Sequence, residues 1–170
     1  DYQPGRNGSY AKEYLHGFTG YLHTDAYAGY NKVADVTRCF CWSHVRRDFV
    51  DALPENIDDE AGTLAKAGID QINRLFALEK EFESLDENER KNQRLLQEKP
   101  VLEAFWAWIE TNKGKVLPKS KLGKAMNYAQ NHRKGLEAFL EDGNCSLSNN
   151  LAENSIRPFT IGRKNWLFSG

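Results

Sequence analysis

Two carboxylic residues of this 170-residue sequence, Asp25 and Glu153, have the type and setting to bind divalent metal ions. Asp25 directly follows the short stretch Gly20–Thr24, which predicts a strand. Ligands collect at the carboxyl ends of strands in open α/β sheets, and a carboxylate there suits Mg²⁺, which prefers hard oxygen ligands. The structural alternative is that Asp25 caps the element that follows it.

Glu153 lies in the segment 148–153 (SNNLAE). If Asn150 caps a helix, Glu153 takes its third position in a variant of the capping box. In the functional alternative Glu153 is a second metal ligand, and two ions about 4 Å apart suit DNA strand chemistry, because they activate the attacking oxygen and stabilise the leaving one. The spacing selects neither alternative, since only the fold brings Asp25 and Glu153 together.

Three cysteines and a histidine form a second group with metal-binding chemistry. Cys39, Cys41 and His44 are close in sequence, and Cys145 is a distant fourth candidate. Zinc uses such ligands, although structural sites usually space paired cysteines by two or more residues. The alternative is that the cysteines are small core residues and that His44 has a protein partner. The odd number of cysteines argues against a disulfide framework and favours a reducing cytoplasm.

Basic side chains follow the stretch from Cys39 to His44 and also follow Glu153. They suit contacts to DNA phosphates, with a tryptophan that can stack on a base, and the alternative is a solvated surface. The residues are Arg46, Arg47, Arg157, Arg163, Lys164 and Trp166. Residues 113–134 add seven Lys or Arg and no acid, and form either another phosphate-contacting face or a solvated one.

The elements that must position these residues are predicted to be strands and helices in the first part of the chain and helices in the rest. The patterns predict a helix over 9–17, strands over 20–24 and 36–42, and a helix or turn over 26–33. Helices follow over 61–82, over 86–98 as a polar helix, and from Pro100 onward, as an antiparallel hairpin or small bundle. Two more helices are predicted over 119–140 and 150–157.

The net charge of −1 conceals an uneven distribution. Residues 51–110 hold 15 acidic and 7 basic side chains, so the flanks are basic. The total by itself therefore does not indicate a nucleic-acid partner. The sequence contains no signal peptide and no apolar run of bilayer-spanning length, and its opening without Met suggests an excised piece.

Three ordered segments resemble the IS66 family of bacterial insertion-sequence transposases. They are residues 20–30 (GYLHTDAYAGY), residues 41–49 (CWSHVRRDF) and residues 149–168, which include NNLAENSIRP and GRKNWLF. Residues 1–6 (DYQPGR) also match the stretch upstream of that family's aspartate. Each segment alone is modest evidence for the family. The ordered set is more specific, and it covers both ends of the chain. The middle matches mainly in being helical.

The resemblance implies an α/β fold with a ribonuclease-H-like core, incomplete at its N-terminus, and an all-helical insertion. The chain then divides into a first core part at 1–51, the insertion at 52–117, and a glutamate-bearing helix with a basic tail at 118–170. By the same resemblance Asp25 is the second catalytic aspartate and Glu153 the catalytic glutamate of a DDE-type DNA transposase.

The resemblance also implies two Mg²⁺ or Mn²⁺ ions, transposon-end and target DNA as partners, no membrane, and a homo-oligomer in the bacterial cytoplasm, associated with the nucleoid. The family's first aspartate has no counterpart before Asp25, so the isolated chain is expected to be inactive. Two rivals remain. One is a non-catalytic DNA-binding or protein-interaction module, in which Asp25 and Glu153 are caps, and the other is a nuclease on the same fold.

Overall fold

A computed structural model of the chain describes residues 7–25, 27–55 and 63–150. Within these residues the architecture is mixed α/β and mostly helical, with one two-stranded sheet. The elements are α1 Gly8–Tyr14, β1 Gly20–Thr24, β2 Val36–Phe40, α2 Trp42–Val50, α3 Leu64–Glu81, α4 Glu87–Gln93, α5 Lys99–Asn112, α6 Lys121–Asn131 and α7 Arg133–Glu137. Between them lie 3₁₀ turns at Ala28–Lys32, Lys113–Lys115 and Ala138–Leu140 and a π-helical turn at Arg94–Glu98.

The two strands run parallel, with Thr24 opposite Phe40 at their carboxyl ends. Parallel neighbours need a crossover connection, and residues 25–35 provide a short one here. Asp35, the last residue before β2, has a φ of 57°, in the left-handed region that Asp tolerates better than most residues. The strand predicted over 20–24 is confirmed, bounds included.

The second strand ends two residues before its predicted end, because Cys41 is the N-cap of α2 and Trp42 begins that helix. The Trp42 side chain is fully buried, and its indole Nε1–H donates a hydrogen bond to the carbonyl oxygen of Leu136 at 2.8 Å. An aromatic residue suits a strand by propensity. At Trp42 that local preference is outweighed by burial in the core.

The centre of the core is an aromatic cluster formed by α2 and α5. Trp42 and Phe49 on α2 lie with ring centroids 5.5 and 6.0 Å from that of Phe105 on α5. Such aromatic pairs contribute about 0.5–1.5 kcal/mol each beyond the burial of their area. The helix α3 closes over this cluster at Gly68, where a Cβ would lie 2.5 Å from the Phe49 ring. Glycine is therefore what lets α3 approach α2.

The hydrophobic cluster extends from the strands to the end of the described chain. It includes Cys39 on β2, Phe105 on α5, Phe139 after α7, and Leu147. It thus contains residues from all three predicted segments, whose boundaries at 51 and 117 stay a prediction. Among the helices described above, none offers the long apolar stretch that a bilayer crossing requires.

A buried ionic cluster joins the middle helices to the segment after α7. Arg94 is 1% exposed, and its Nε and Nη2 donate to the two carboxylate oxygens of Glu79 on α3 at 2.6 and 2.9 Å. Its Nη1 donates to the carbonyl oxygens of Phe139 and Asp142 at 2.8 and 2.9 Å. A single guanidinium therefore links three separate parts of the chain.

Glu98 completes this cluster and is 0% exposed. Burial raises the pKa of Glu98 to about 9, the nearby Glu79 carboxylate adds to the rise, and Arg94 opposes it. Glu98 is therefore protonated and neutral at pH 7. The helix predicted over 86–98 is present, but its end widens into the π-helical turn, where Arg94 and Glu98 are buried. A π turn departs from the 3.6-residue period on which the prediction rested.

The helix predicted over 119–140 is divided into two at His132. Ser120 caps α6, its Oγ accepting a hydrogen bond from the Gly123 N–H at 3.1 Å. His132 has a φ of −109° and a ψ of 9°, outside the helical range, and ends α6. Its ring packs on Tyr128 in the same helix and edge-on against Phe40 on β2, with centroids 4.4 and 5.1 Å apart, so a contact with the sheet stabilises the break.

Candidate active site at the carboxyl ends of the strands

The carboxyl ends of β1 and β2 form the edge of the sheet at which Asp25 lies. Asp25 is exposed, and its Oδ1 accepts a hydrogen bond from the N–H of Tyr27 at 3.1 Å. This is a local turn of the kind that Asp favours, although Tyr27 and not Asp25 is the N-cap of the following 3₁₀ turn. A carboxylate has about four acceptor positions, so one such bond leaves room for a cation.

Arg38 on β2 holds the backbone at Asp25 in place. Its Nη2 donates to the Asp25 carbonyl oxygen at 2.7 Å and to Thr24 Oγ1 at 2.9 Å. Its Nη1 donates to Asn31 Oδ1 at 2.6 Å, and its guanidinium lies 4.7 Å from the centre of the Phe40 ring. Partial burial lowers the pKa of Arg38, and the Asp25 carboxylate opposes that effect. The Arg38 side chain thus holds the main chain of the turn in place and does not cover the Asp25 carboxylate.

The chain that leads to Glu153 is attached to the end of the neighbouring strand. The N–H of Trp42 donates to the carbonyl oxygen of Leu147 at 3.1 Å. The N–H of Asn149 donates to the Cys41 sulfur at 3.5 Å. Residues 147–149 therefore follow the junction between β2 and α2, directly beside the strand end that Asp25 adjoins.

Asn150, the last described residue, continues this attachment. Its Nδ2 donates to Ser43 Oγ on α2 at 3.0 Å. The backbone of Asn150 is helical, as the helix predicted over 150–157 requires, so Asn150 is not the N-cap that the capping-box alternative needs. Glu153 follows three residues later and lies outside the described residues.

Two of the predicted DNA-contacting residues, Arg46 and Arg47, line one groove of about 430 Å³ together with Asn150. Arg46 Nε donates to Asn73 Oδ1 on α3 at 2.7 Å, and this bond orients its guanidinium. Arg47 is exposed. The groove therefore has two cationic side chains beside the start of the segment that carries Glu153, an arrangement that suits a phosphate.

The C-terminal half of α6 brings Tyr128 toward the same edge. His132 packs edge-on against Phe40, the last residue of β2, with ring centroids 5.1 Å apart, and Tyr128 packs on His132. Burial raises the pKa of Tyr128, and the carboxylates of Asp48 and Asp25 add to the rise. The Tyr128 hydroxyl is therefore within electrostatic reach of Asp25 and stays protonated at neutral pH.

His23, two residues before Asp25, lies next to a pocket of about 430 Å³ lined also by Tyr21, Cys145 and Asn149. Burial lowers the pKa of His23, and the nearby His44 lowers it further. The imidazole is therefore neutral at pH 7. Its Nε2 is buried without a hydrogen-bond partner, and so is the Asn149 side-chain oxygen.

Among all described residues, no three His, Cys, Asp or Glu side chains converge in a way that could hold a metal ion. Those residues include Cys39, Cys41, His44 and Cys145, so the zinc alternative finds no support. The predicted pair of Asp25 with Glu153 falls outside this finding, because only Asp25 is described. The other predicted residues outside the described part are Arg157, Arg163, Lys164 and Trp166.

Sequence reasoning missed Arg38 and Tyr128 as parts of this edge. Arg38 had a signal, since it is a charged residue in the middle of a short strand, where it has to find partners. Its partners on β1 depend on the register, which places Leu22 opposite Arg38. Tyr128 had no comparable signal, because only the packing of α6 brings it near Asp25.

Comparison with known proteins identifies one family over the whole chain. The sequence model described as "Transposase IS66 family" matches residues 1–170. Three curated relatives come from Sinorhizobium fredii, and each carries the name of an uncharacterized protein. The protein y4qI is 32% identical over 99% of this chain and 32% of its own length.

The other two relatives are similar in extent. The protein y4jD is 29% identical over 99% of this chain and 34% of its own length. The protein y4hP is 27% identical over 97% of this chain and 33% of its own length. The chain thus spans about a third of the length of the curated relatives it matches. No solved structure matches it.

Proposed function

The chain belongs to the IS66 transposase family, and from this premise we propose that its parent protein is a DDE-type transposase that cleaves and joins DNA strands at transposon ends. The observation that carries the proposal is the position of Asp25 at the carboxyl end of β1, beside the strand end to which the segment leading to Glu153 is attached. This edge is where α/β sheets bind ligands.

In this proposal Asp25 and Glu153 hold two Mg²⁺ or Mn²⁺ ions. Asp25 fits such a role, because its carboxylate is exposed and has one local hydrogen bond. Bound metal ions of this kind activate the attacking oxygen and stabilise the leaving oxygen of a phosphodiester. Arg38 serves as a positioning residue, since it holds the Asp25 main chain and leaves the carboxylate open.

The proposed fold is a ribonuclease-H-like core formed by residues 1–51 and 118–170, with residues 52–117 as a helical insertion. Support comes from the parallel pair of strands with an aspartate at the carboxyl end of the first. The attachment of residues 147–150 beside β2 provides the second support, because it brings the C-terminal part of the chain back to the sheet.

DNA is the proposed partner, both as transposon ends and as target. Arg46 and Arg47 contact phosphates from their groove on α2, where Asn73 already orients Arg46. The remaining proposed contacts are made by Arg157, Arg163 and Lys164, with Trp166 stacked on a base. The active parent protein is proposed to be a homo-oligomer in the bacterial cytoplasm, associated with the nucleoid.

The test is strand cleavage of DNA that carries the transposon ends, by the parent protein with Mg²⁺ or Mn²⁺. Asp25→Asn and Glu153→Gln are each expected to reduce cleavage by more than about 100-fold, because even outer partners of metal sites contribute about 10–100-fold. Matched controls are Asp70→Asn on α3 and Glu103→Gln on α5, exposed residues that should leave cleavage unchanged. The isolated chain should not cleave, since it offers two of the three carboxylates.

Full cleavage by either site variant would refute the assignment of that residue. If the wild-type parent protein binds transposon ends but never cuts them, the non-catalytic DNA-binding module becomes the better account. If it cuts DNA that carries the transposon ends and DNA that lacks them equally well, the nuclease alternative becomes the better account. Metal-dependent nicking by the isolated chain, abolished by Glu153→Gln, would contradict its proposed inactivity.

A further inference from the structure

Two buried thiols, Cys39 on β2 and Cys145 after α7, lie with their Sγ atoms 2.9 Å apart. They are 1% and 8% exposed, and both are free cysteines. A disulfide has a sulfur–sulfur distance of about 2.05 Å, so these sulfurs would need to approach by less than about 1 Å. The geometry points to a covalent modification site, an intrachain disulfide between Cys39 and Cys145 that forms when hydrogen peroxide oxidises the chain.

The environments of the two sulfurs make Cys145 the nucleophile. The hydrogen bond between them lowers the pKa of Cys145, burial opposes this effect, and Arg94 adds to the lowering, whereas the hydrogen bond and burial both raise the pKa of Cys39. Cys145 also lines the pocket next to His23 and Asn149, whose volume is about 430 Å³. A molecule as small as hydrogen peroxide fits this space, because a water molecule takes up about 30 Å³.

The oxidation proceeds in two balanced steps. The Cys145 thiolate attacks one peroxide oxygen, the O–O bond breaks, and the products are a sulfenic acid and a hydroxide that takes up a proton to become water. The Cys39 sulfur then attacks the Cys145 sulfur, the S–O bond breaks, and the released hydroxide takes the Cys39 proton. Two thiols lose two electrons in total, and one peroxide is reduced to two waters.

The disulfide would act on the segment that approaches the proposed active site. Cys39 and Cys145 are 106 positions apart, and the closed ring would contain every helix from α2 to α7. Cys145 precedes Asn149 by four residues, and Asn149 is attached to the junction after β2. The bond therefore adds a covalent anchor just before the segment that leads to Glu153.

The test is to treat the reduced, folded chain with hydrogen peroxide, unfold it, alkylate the remaining thiols and map the peptides by mass spectrometry. The expected product lacks two hydrogen atoms, contains one peptide pair linked through Cys39 and Cys145, and carries one alkylated thiol, Cys41. Cys41 is the matched internal control, because it is equally buried but its sulfur contacts the Asn149 N–H. The variant Cys41→Ser should give the same linked pair, and Cys145→Ser should give none.

A second control needs no substitution. The wild-type chain is unfolded in urea, oxidised in that state and mapped in the same way. There the link between Cys39 and Cys145 should no longer predominate, because the folded contact is lost and closing a loop of this length costs more entropy than pairing near neighbours. The proposal is overturned if the folded chain keeps both Cys39 and Cys145 alkylatable, if its links join different molecules, or if its pairing matches that of the unfolded chain. This readout involves neither DNA nor metal, so it is separate from the outcome for the proposed transposase activity.

Discussion

Two of the places where an arginine lies next to a carboxylic residue, around Asp25 and around Glu79, have opposite results. At the sheet edge Arg38 donates to the main-chain oxygen of Asp25, and the Asp25 carboxylate stays exposed. In the cluster of the middle helices Arg94 donates to both carboxylate oxygens of Glu79. The first arrangement leaves the Asp25 carboxylate available to a ligand. In the second, the Glu79 carboxylate connects helices.

Burial explains the difference between the two places. Taking charged groups out of water is costly unless they are paired, and a group that stays unpaired becomes neutral. Arg94 and Glu79 are paired, and Glu98 beside them carries a pKa raised to about 9. Asp25 avoids that cost at the surface. The comparison predicts that changes in the cluster alter stability, whereas changes at the edge alter function.

The largest effect on stability is expected for Arg94→Met. The substitution leaves Glu79 as a partly buried charge without its partner and removes donors to the carbonyl oxygens of Phe139 and Asp142. Breaking a buried pair costs about 3–5 kcal/mol. Urea unfolding followed by circular dichroism measures the loss. The control Lys66→Met removes an exposed pair with Asp70 and should cost less than about 1 kcal/mol. Equal losses in the two variants would remove the distinction.

An effect on stability that depends on pH is expected for Glu98→Gln. The folded pKa of Glu98 is about 9 against an ordinary value of 4.5. Between these values the unfolded chain releases the proton that the folded chain keeps, so wild-type stability falls as pH rises from 4.5 toward 9. The substituted glutamine side chain is neutral throughout, so the variant should lose this slope and be more stable than wild type at alkaline pH. Parallel pH profiles from urea unfolding would contradict the prediction.

The smallest effect on stability is expected for Asp25→Asn, the variant expected to lose cleavage activity. Asp25 is exposed, and an Asn side-chain oxygen can still accept the Tyr27 N–H. The free energy of unfolding should change by no more than about 0.5 kcal/mol. Thermal unfolding of the two chains, side by side, measures it. A loss comparable to that of Arg94→Met would mean that Asp25 has a structural role.

Local pattern was sufficient where neighbours in sequence decide the structure. The strand Gly20–Thr24 and the turn at Asp25 were predictable because the apolar run, the aspartate and the following turn are contiguous. The helix of the middle segment predicted over 61–82 is also present, as Leu64–Glu81 with Thr63 as its cap. The hydrogen bonds of the helix and of the Asp25 turn join residues a few positions apart, whereas the strand pairs with β2, where Gly20 lies opposite Val36.

Local pattern failed where a distant contact changed the outcome. The strand predicted to Trp42 stops at Phe40, because the Trp42 indole is buried against residues from the other end of the described chain. The polar residues Arg94 and Glu98 point inward, because a π-helical turn shifts the helical period. The neighbouring residues in the sequence do not predict the strand register that gives Arg38 its partners. They also do not predict that Arg94 and Glu98 are buried.

The sequence by itself determined the family, the first strand and the position of Asp25 at the end of its strand. The tertiary structure alone decided which sulfurs meet, where Arg94 finds its carbonyl partners, and that residues 147–150 return to the end of β2. The physical reason is range. Capping and turn hydrogen bonds join residues a few positions apart, whereas burial and pairing join groups about a hundred positions apart that only the packed core brings together.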